Sequence, residues 1–156
     1  MNHSNYLLKL QAKFQKFPLG QTLFSKVFAS KAPYFKSINP HIMLLQENFC
    51  RVLIPKRKSV QNHIGTVHAI AICNGLEMAM GAMAEASIPK HLRWLPKGMN
   101  VNYLAKSTTD IIAEAQIDPS QWKTGDVSVT VRALDSHGTT VVDGEIRLWV
   151  SDKPQK

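Results

Sequence analysis

Asn62-His63-Ile64-Gly65-Thr66-Val67-His68-Ala69-Ile70-Ala71-Ile72-Cys73-Asn74-Gly75-Leu76-Glu77 is the stretch around which this chain is organised. From residue 67 to about residue 87 the sequence reads as a helix. It is apolar almost all the way round: Ile70, Ile72, Leu76, Met78, Met80 and Met83 are spaced by Ala69, Ala71, Ala79, Ala82 and Ala84. A helix without a polar stripe is a buried helix. At about twenty residues it could barely reach across a bilayer, and Asn74, Glu77 and Glu85 argue against that. Glu77 is the anomaly, because ionised carboxylates are rarely buried unless they are paired or used.

The segment before the helix is equally patterned. Asn62, Gly65 and His68 recur every three residues, and Thr66 is placed to cap the helix N-terminus. A helix N-terminus carries unsatisfied N–H groups and a partial positive charge, so it suits a developing oxyanion. A donor cluster therefore lies at one end of the stretch and a carboxylate nine residues on. Nine residues turn Glu77 about 180° from His68 and raise it by roughly 13.5 Å. One helix cannot bring both ends to one substrate. Two antiparallel copies in a twofold dimer can, and a site built this way is shared between chains.

These residues resemble the hotdog-fold acyl-CoA thioesterases, in particular the branch similar to the phenylacetic-acid-degradation thioesterases. That branch carries Asn-x-x-Gly-x-x-His-Gly-Gly and an acid nine residues after the His; Asn62, Gly65, His68 and Glu77 stand at those positions. An uncharacterised subgroup with Gly-Thr-x-His-Ala is matched by Gly65-Thr66-Val67-His68-Ala69. The resemblance implies an α+β hotdog fold, a curved antiparallel sheet wrapped around one long central helix. It implies hydrolysis of an acyl-CoA thioester, with coenzyme A as part of the substrate and no separate cofactor. The Ala69 N–H would polarise the carbonyl, and Glu77 of the opposite subunit would serve as general base or nucleophile. Asn62 and His68 would shape the carbonyl end, with Gly65 and Thr66 beside them. Two departures stand out: Ala69-Ile70 replaces Gly-Gly, and Gly81 stands where some relatives place a water-positioning Thr or Ser. They favour the alternative of a non-catalytic acyl-CoA or lipid-binding module.

At 156 residues the chain is one domain, large enough for a real core. Its 44% apolar and 19% charged residues are those of an ordinary globule. Two cysteines, Cys50 and Cys73, give no disulfide framework; Cys73, inside the helix, reads as a small apolar filler. Residues 1–5 lack the basic-then-apolar order of a signal peptide, which points to the cytoplasm. The net charge of +8 is uneven: residues 1–60 hold ten Lys or Arg and one acid, Glu47. A basic half suits nucleic acid, anionic lipid or a phosphorylated ligand. No RNA-binding motif, helix-turn-helix or aromatic ladder supports nucleic acid. Lys56, Arg57 and Lys58 are adjacent and read either as a site for coenzyme A phosphates or as a solvated loop.

In chain order, residues 3–17 read as a basic amphipathic helix with Leu7, Leu10, Phe14 and Phe17 on one face. Pro18-Leu19-Gly20 breaks it, and 21–30 is a second helix. Both are expected to pack on the sheet or flank the site; lying on a membrane is the less favoured alternative. Strands follow at 41–46 and 49–54, joined at Glu47-Asn48. After the central helix come strands at 93–105, interrupted by Pro96 and Gly98, and at 110–117, 126–134 and 140–150. Alternation in these strands means an antiparallel sheet with one face covered. The expected organisation is a helical extension over 1–36, a hotdog domain over 37–151 and a flexible tail over 152–156. Asn74, one turn before Glu77, either orients that carboxylate or satisfies its own amide. The acyl chain is expected along Met78, Met80 and Met83. A homodimer or a dimer of dimers is expected, without metal: His63 and His68 lack further convergent ligands.

Overall fold

The computed structural model describes residues 5–154. The expected helix start at residue 3, the first four residues of the leader argument and residues 155–156 of the tail lie outside the described residues. Two helices come first, α1 (Tyr6–Phe14) and α2 (Gly20–Lys31), then a 3-10 turn at Pro33–Ile38. Strands β1 (His41–Gln46) and β2 (Phe49–Ile54) precede the long helix α3 (Ala69–Ser87). Strands β3 (Leu92–Tyr103), β4 (Ile111–Gln116), β5 (Gly125–Asp135) and β6 (Thr140–Asp152) complete the chain. The six strands form one antiparallel sheet in the order β1-β2-β4-β5-β6-β3. The sheet curves around α3, which packs chiefly on β2 and β4. This is the hotdog fold of the α+β class.

Strand alternation does most of the building. Cys50, Val52 and Ile54 on β2, Ala113 and Ala115 on β4, and Val127, Val129 and Val131 on β5 are all buried beneath the helix. The small residues on β4 let α3 come close. The β1–β2 hairpin turns at Glu47-Asn48, with Asn48 at φ 64°, a left-handed conformation that Asn tolerates. The strand interruption at Pro96 and Gly98 is a shift of register between β3 and β6. On β6, Gly144 lies at φ 151°, and a Cβ there would stand 2.1 Å from the Asn100 carbonyl oxygen. Only glycine permits that approach.

The N-terminal helices depart from the sequence reading in one respect. α1 ends at Phe14, and Phe17 is exposed in the turn rather than on the helix's apolar face. Leu19 follows in the left-handed region at φ 60°, which reverses the chain into α2. Phe24, Ala29 and Ile38 belong to the same buried cluster as the sheet and α3. At the other end Asp152 still pairs with Leu92, and the Lys153 N–H donates to the His91 carbonyl, so the tail is tied two residues further than expected. No helix among the described residues is long and apolar enough to cross a membrane.

Candidate active site

The loop before α3 is held by Asn62. Its Oδ1 accepts from the N–H groups of Ile64 and Thr66, both at 3.1 Å, and its Nδ2 donates to Thr66 Oγ1 at 2.8 Å. Gly65, exposed at φ 77°, closes the turn. Asn62 and Thr66 thus satisfy each other within the loop. Thr66 is not the helix cap as expected. That role falls to His68, whose Nδ1 accepts from the Ile70 N–H at 3.1 Å. The helix begins at Ala69, two residues later than the sequence suggested, because the Val67 N–H donates to the Ser107 carbonyl and the His68 N–H to the Val60 carbonyl. The Ala69 N–H, the first of the helix, has no partner among the described residues.

α3 is not buried all round. Ile70 (53% exposed), half-buried Cys73, and exposed Glu77 and Glu85 recur at three-, four- and eight-residue spacing and form an open stripe. Glu77 is therefore exposed in the single chain, contrary to the expected burial. The sheet covers only the opposite side of the helix. Its carboxylate makes no hydrogen bond or ion pair among the described residues, so the alternative of a buried ion pair is not found. Asn74 does not orient it either. Asn74 is buried on the flank, and its Nδ2 donates to Ser37 Oγ at 3.1 Å and the Tyr34 carbonyl at 3.3 Å, while its Oδ1 has no partner. It ties the Pro33–Ile38 turn to α3.

A cavity of about 1040 Å³ lies between the second half of α3 and the N-terminal helices. Glu77, Gly81 and Glu85 border it on α3, Trp94 on β3, and Leu10 and Phe28 on α1 and α2. Glu85 Oε1 is already engaged by the Trp94 Nε1–H at 2.9 Å, which leaves Glu77 as the unoccupied carboxylate of α3 in the wall. A Cβ on Gly81 would stand 3.6 Å from the Trp94 ring, an ordinary contact, so glycine here keeps the cavity wide rather than avoiding a clash. Met78, Met80 and Met83, expected to line the acyl path, point into the core and are fully buried. Glu85 and Trp94 were not singled out from sequence as site residues, whereas α1 and α2 were expected to pack on the sheet or flank the site. The only signal was the apolar face of the two helices.

The structure thus brings Glu77 and Gly81 together. Asn62, Gly65, Thr66, His68 and Ala69 gather at the other end of α3, roughly 13.5 Å from Glu77 along the axis. The basic loop adjoins that end. Lys56 Nζ donates to the Thr108 carbonyl at 2.8 Å and the Arg57 guanidinium to the Ser37 carbonyl at 2.9 Å, whereas Lys58 is exposed. Cys50 fills the core as a small apolar residue, whereas Cys73, of which that was expected, does not. Cys73 Sγ lies 3.9 Å from Tyr103 Oη on the open stripe, and that contact raises the phenol's pKa. Burial pushes the Cys50 thiol up to about 12, which removes it as a nucleophile.

Comparison with known proteins agrees with this architecture. A structural-genomics protein designated APC5556 is 42% identical, covers 95% of this chain and 99% of its own, and superposes with a TM-score of 0.82. A Pseudomonas aeruginosa protein described as a probable thioesterase is 18% identical, with 88% and 97% coverage and a TM-score of 0.76. A Haemophilus influenzae thioesterase is 12% identical, with 87% and 92% coverage and a TM-score of 0.72. At such identities these last two share the fold. No curated protein matches the chain. The family model of the domain of unknown function DUF4442 matches residues 20–150, from the start of α2 to two residues short of the end of β6, and the chain belongs to that family.

Proposed function

We propose that this protein is an acyl-CoA thioesterase, of the branch similar to the phenylacetic-acid-degradation enzymes, with an active site shared across a homodimer. The observation that carries the reading is Glu77. It is a carboxylate without a partner, in the wall of a large apolar cavity, on the one open stripe of an otherwise buried helix. The free Ala69 N–H at the start of the same helix supports the second half of the site. Twofold pairing of the open stripes sets each Ala69 beside Glu77 of the partner subunit.

In the reaction, the thioester carbonyl oxygen accepts from the Ala69 N–H, and the helix dipole favours the oxyanion. Glu77 of the partner subunit takes a proton from water as its oxygen attacks the carbonyl carbon. The tetrahedral intermediate collapses with cleavage of the C–S bond. The leaving thiolate takes up the proton, and the products are a carboxylic acid and free coenzyme A. His68 and Asn62 act by holding the loop that aims the donor. Lys58, with Lys56 and Arg57 behind it, supplies positive charge for coenzyme A phosphates.

The neighbours described as thioesterases support the class of reaction by sharing the fold. A binding module without chemistry is the second reading, favoured by Gly81 and its missing hydroxyl. One experiment separates the two: a panel of acyl-CoA esters with free thiol as readout, run on the wild-type and Glu77→Gln chains. Turnover is expected to fall by roughly 10²- to 10⁴-fold in the variant, with an unchanged melting temperature because Glu77 holds nothing in place. Equal turnover in both chains would overturn the assignment of Glu77. No thiol release by the wild type would leave the binding module.

A further inference from the structure

We propose that the cavity beneath α1 and α2 is the compartment for a linear fatty-acyl chain of medium or greater length, with α1 as its movable wall. The inference rests on the thioesterase reading for the direction of the chain, but not for the existence of the site. The wall chemistry selects the ligand. Leu7, Leu10, Phe24 and Phe28 face Ala86 and Ile88 across the space. Apart from Glu77 at one end, the charged side chains on its border are spoken for or lie outside: Glu85 is bonded to Trp94, and Lys31, Lys90, Lys153 and Glu47 are exposed at the rim. A ligand deep inside meets apolar area and no directional hydrogen bond, which suits an alkyl chain and not a sugar, a base or a peptide.

The dimensions select its length. From Glu77 to Ser87 the cavity follows ten helical residues, a rise of roughly 15 Å. Its volume lies at the upper end of the range of about 300–1,000 Å³ common for small-molecule sites. An acetyl group would leave most of it empty. Glu77 stands at one end, so the carboxyl carbon belongs there and the methyl end lies towards Ile88 and Pro89.

The roof can move without breaking the sheet. α1 packs chiefly on α2 and α3 and forms no strand pairing. It is pinned by the Phe14–Phe24 ring contact, with centroids 6.0 Å apart, and by the Asn5 Nδ2 bond to the Glu85 carbonyl at 2.5 Å. The exposed turn Phe17-Pro18-Leu19, with Leu19 in a conformation unfavourable to a branched side chain, joins it to α2.

The test uses free fatty acids, which contain no thioester. The wild-type chain is titrated by calorimetry with saturated fatty acids of increasing length, each below its micelle concentration. Affinity is expected to rise up to about fourfold per methylene and then level off when the cavity is full. Leu10→Trp should move the plateau to shorter chains and Phe28→Ala to longer ones, opposite shifts that misfolding does not produce. Binding without length dependence, or a plateau that neither variant moves, overturns the compartment. Length-dependent binding in a chain that hydrolyses no acyl-CoA upholds the compartment and defeats the thioesterase reading. Hydrolysis without fatty-acid binding does the reverse.

Discussion

Glu114 on β4 carries a charge that the alternation of its strand places on the outer face of the sheet, yet its side chain is only 3% exposed. Its register partners are Arg51 on β2 and Arg132 on β5. Arg51 donates to Oε1 at 2.7 Å from Nε, and Arg132 to Oε2 at 2.6 Å. The arginines remain 39% and 55% exposed. The triad is therefore lopsided: the acid is desolvated and the bases are not. Removing the bases strands a buried carboxylate, whereas removing the acid leaves two guanidinium groups that turn to water. The double variant Arg51→Met/Arg132→Met should cost about 3 kcal/mol, the low end for a broken buried pair because the face lies close to solvent. At roughly 2–4 °C per kcal/mol for a chain of this size, the melting temperature should fall by about 6–12 °C. Glu114→Gln should cost about 1–2 kcal/mol, roughly 2–8 °C. Scanning calorimetry at pH 7 and one fixed protein concentration measures both. A larger loss from Glu114→Gln than from the double arginine variant would refute the reasoning.

Gly144→Ala should destabilise by about 2–5 kcal/mol, since its Cβ would meet the Asn100 carbonyl at 2.1 Å; a lower urea midpoint at unchanged slope is the expected sign. Asp135 accepts from the Thr139 and His137 N–H groups, which hold its carboxyl below the usual range. A depressed folded value means stability that is present above the unfolded pKa of about 3.9 and lost as pH falls through the lower folded value. Asp135→Asn should therefore flatten the melting-temperature profile below about pH 4, and an unchanged acid limb would count against it. Lys58→Ala should raise the Michaelis constant for a coenzyme A ester with turnover nearly unchanged, whereas Lys56 and Arg57 also hold backbone carbonyls and give a mixed effect. Cys73 should react with a thiol reagent in dilute native protein while Cys50 does not, and its reaction should slow as concentration rises through the dimerisation range; concentration-independent labelling would speak against pairing of the open stripes.

The sheet was legible because period-two alternation needs no knowledge of the rest of the fold. β1 and β2 and the turn at Glu47-Asn48 follow from residues that touch along the chain. Helix α3 was legible as a helix, but not its open side. Ile70 and Cys73 carry no charge to mark it, and an apolar residue left bare reads in sequence like one covered. The choice between Thr66 and His68 as cap depended on Val60 and Ser107, whose carbonyls take the N–H groups that would otherwise start the helix earlier. The role of Asn74 depended on a turn some forty residues upstream. The burial of Glu114 comes from two arginines on neighbouring strands. The cavity left no local signal beyond the apolar face of the two N-terminal helices, because it is the space left between α3 and those helices as they pack on their neighbours.

The open stripe of α3 also bears on how such a chain changes over generations. Residues that carry the fold, Ile72, Ala79 and Ala86, and residues that face outward, Ile70, Cys73 and Glu77, sit on opposite sides of one rod. Substitutions with no shared contacts act nearly independently. New chemistry can therefore be tried on one side while the other keeps the molecule folded. A lineage built on this helix has room to exchange one carboxylate or one small residue for another and acquire a different substrate, without first gathering stabilising changes elsewhere.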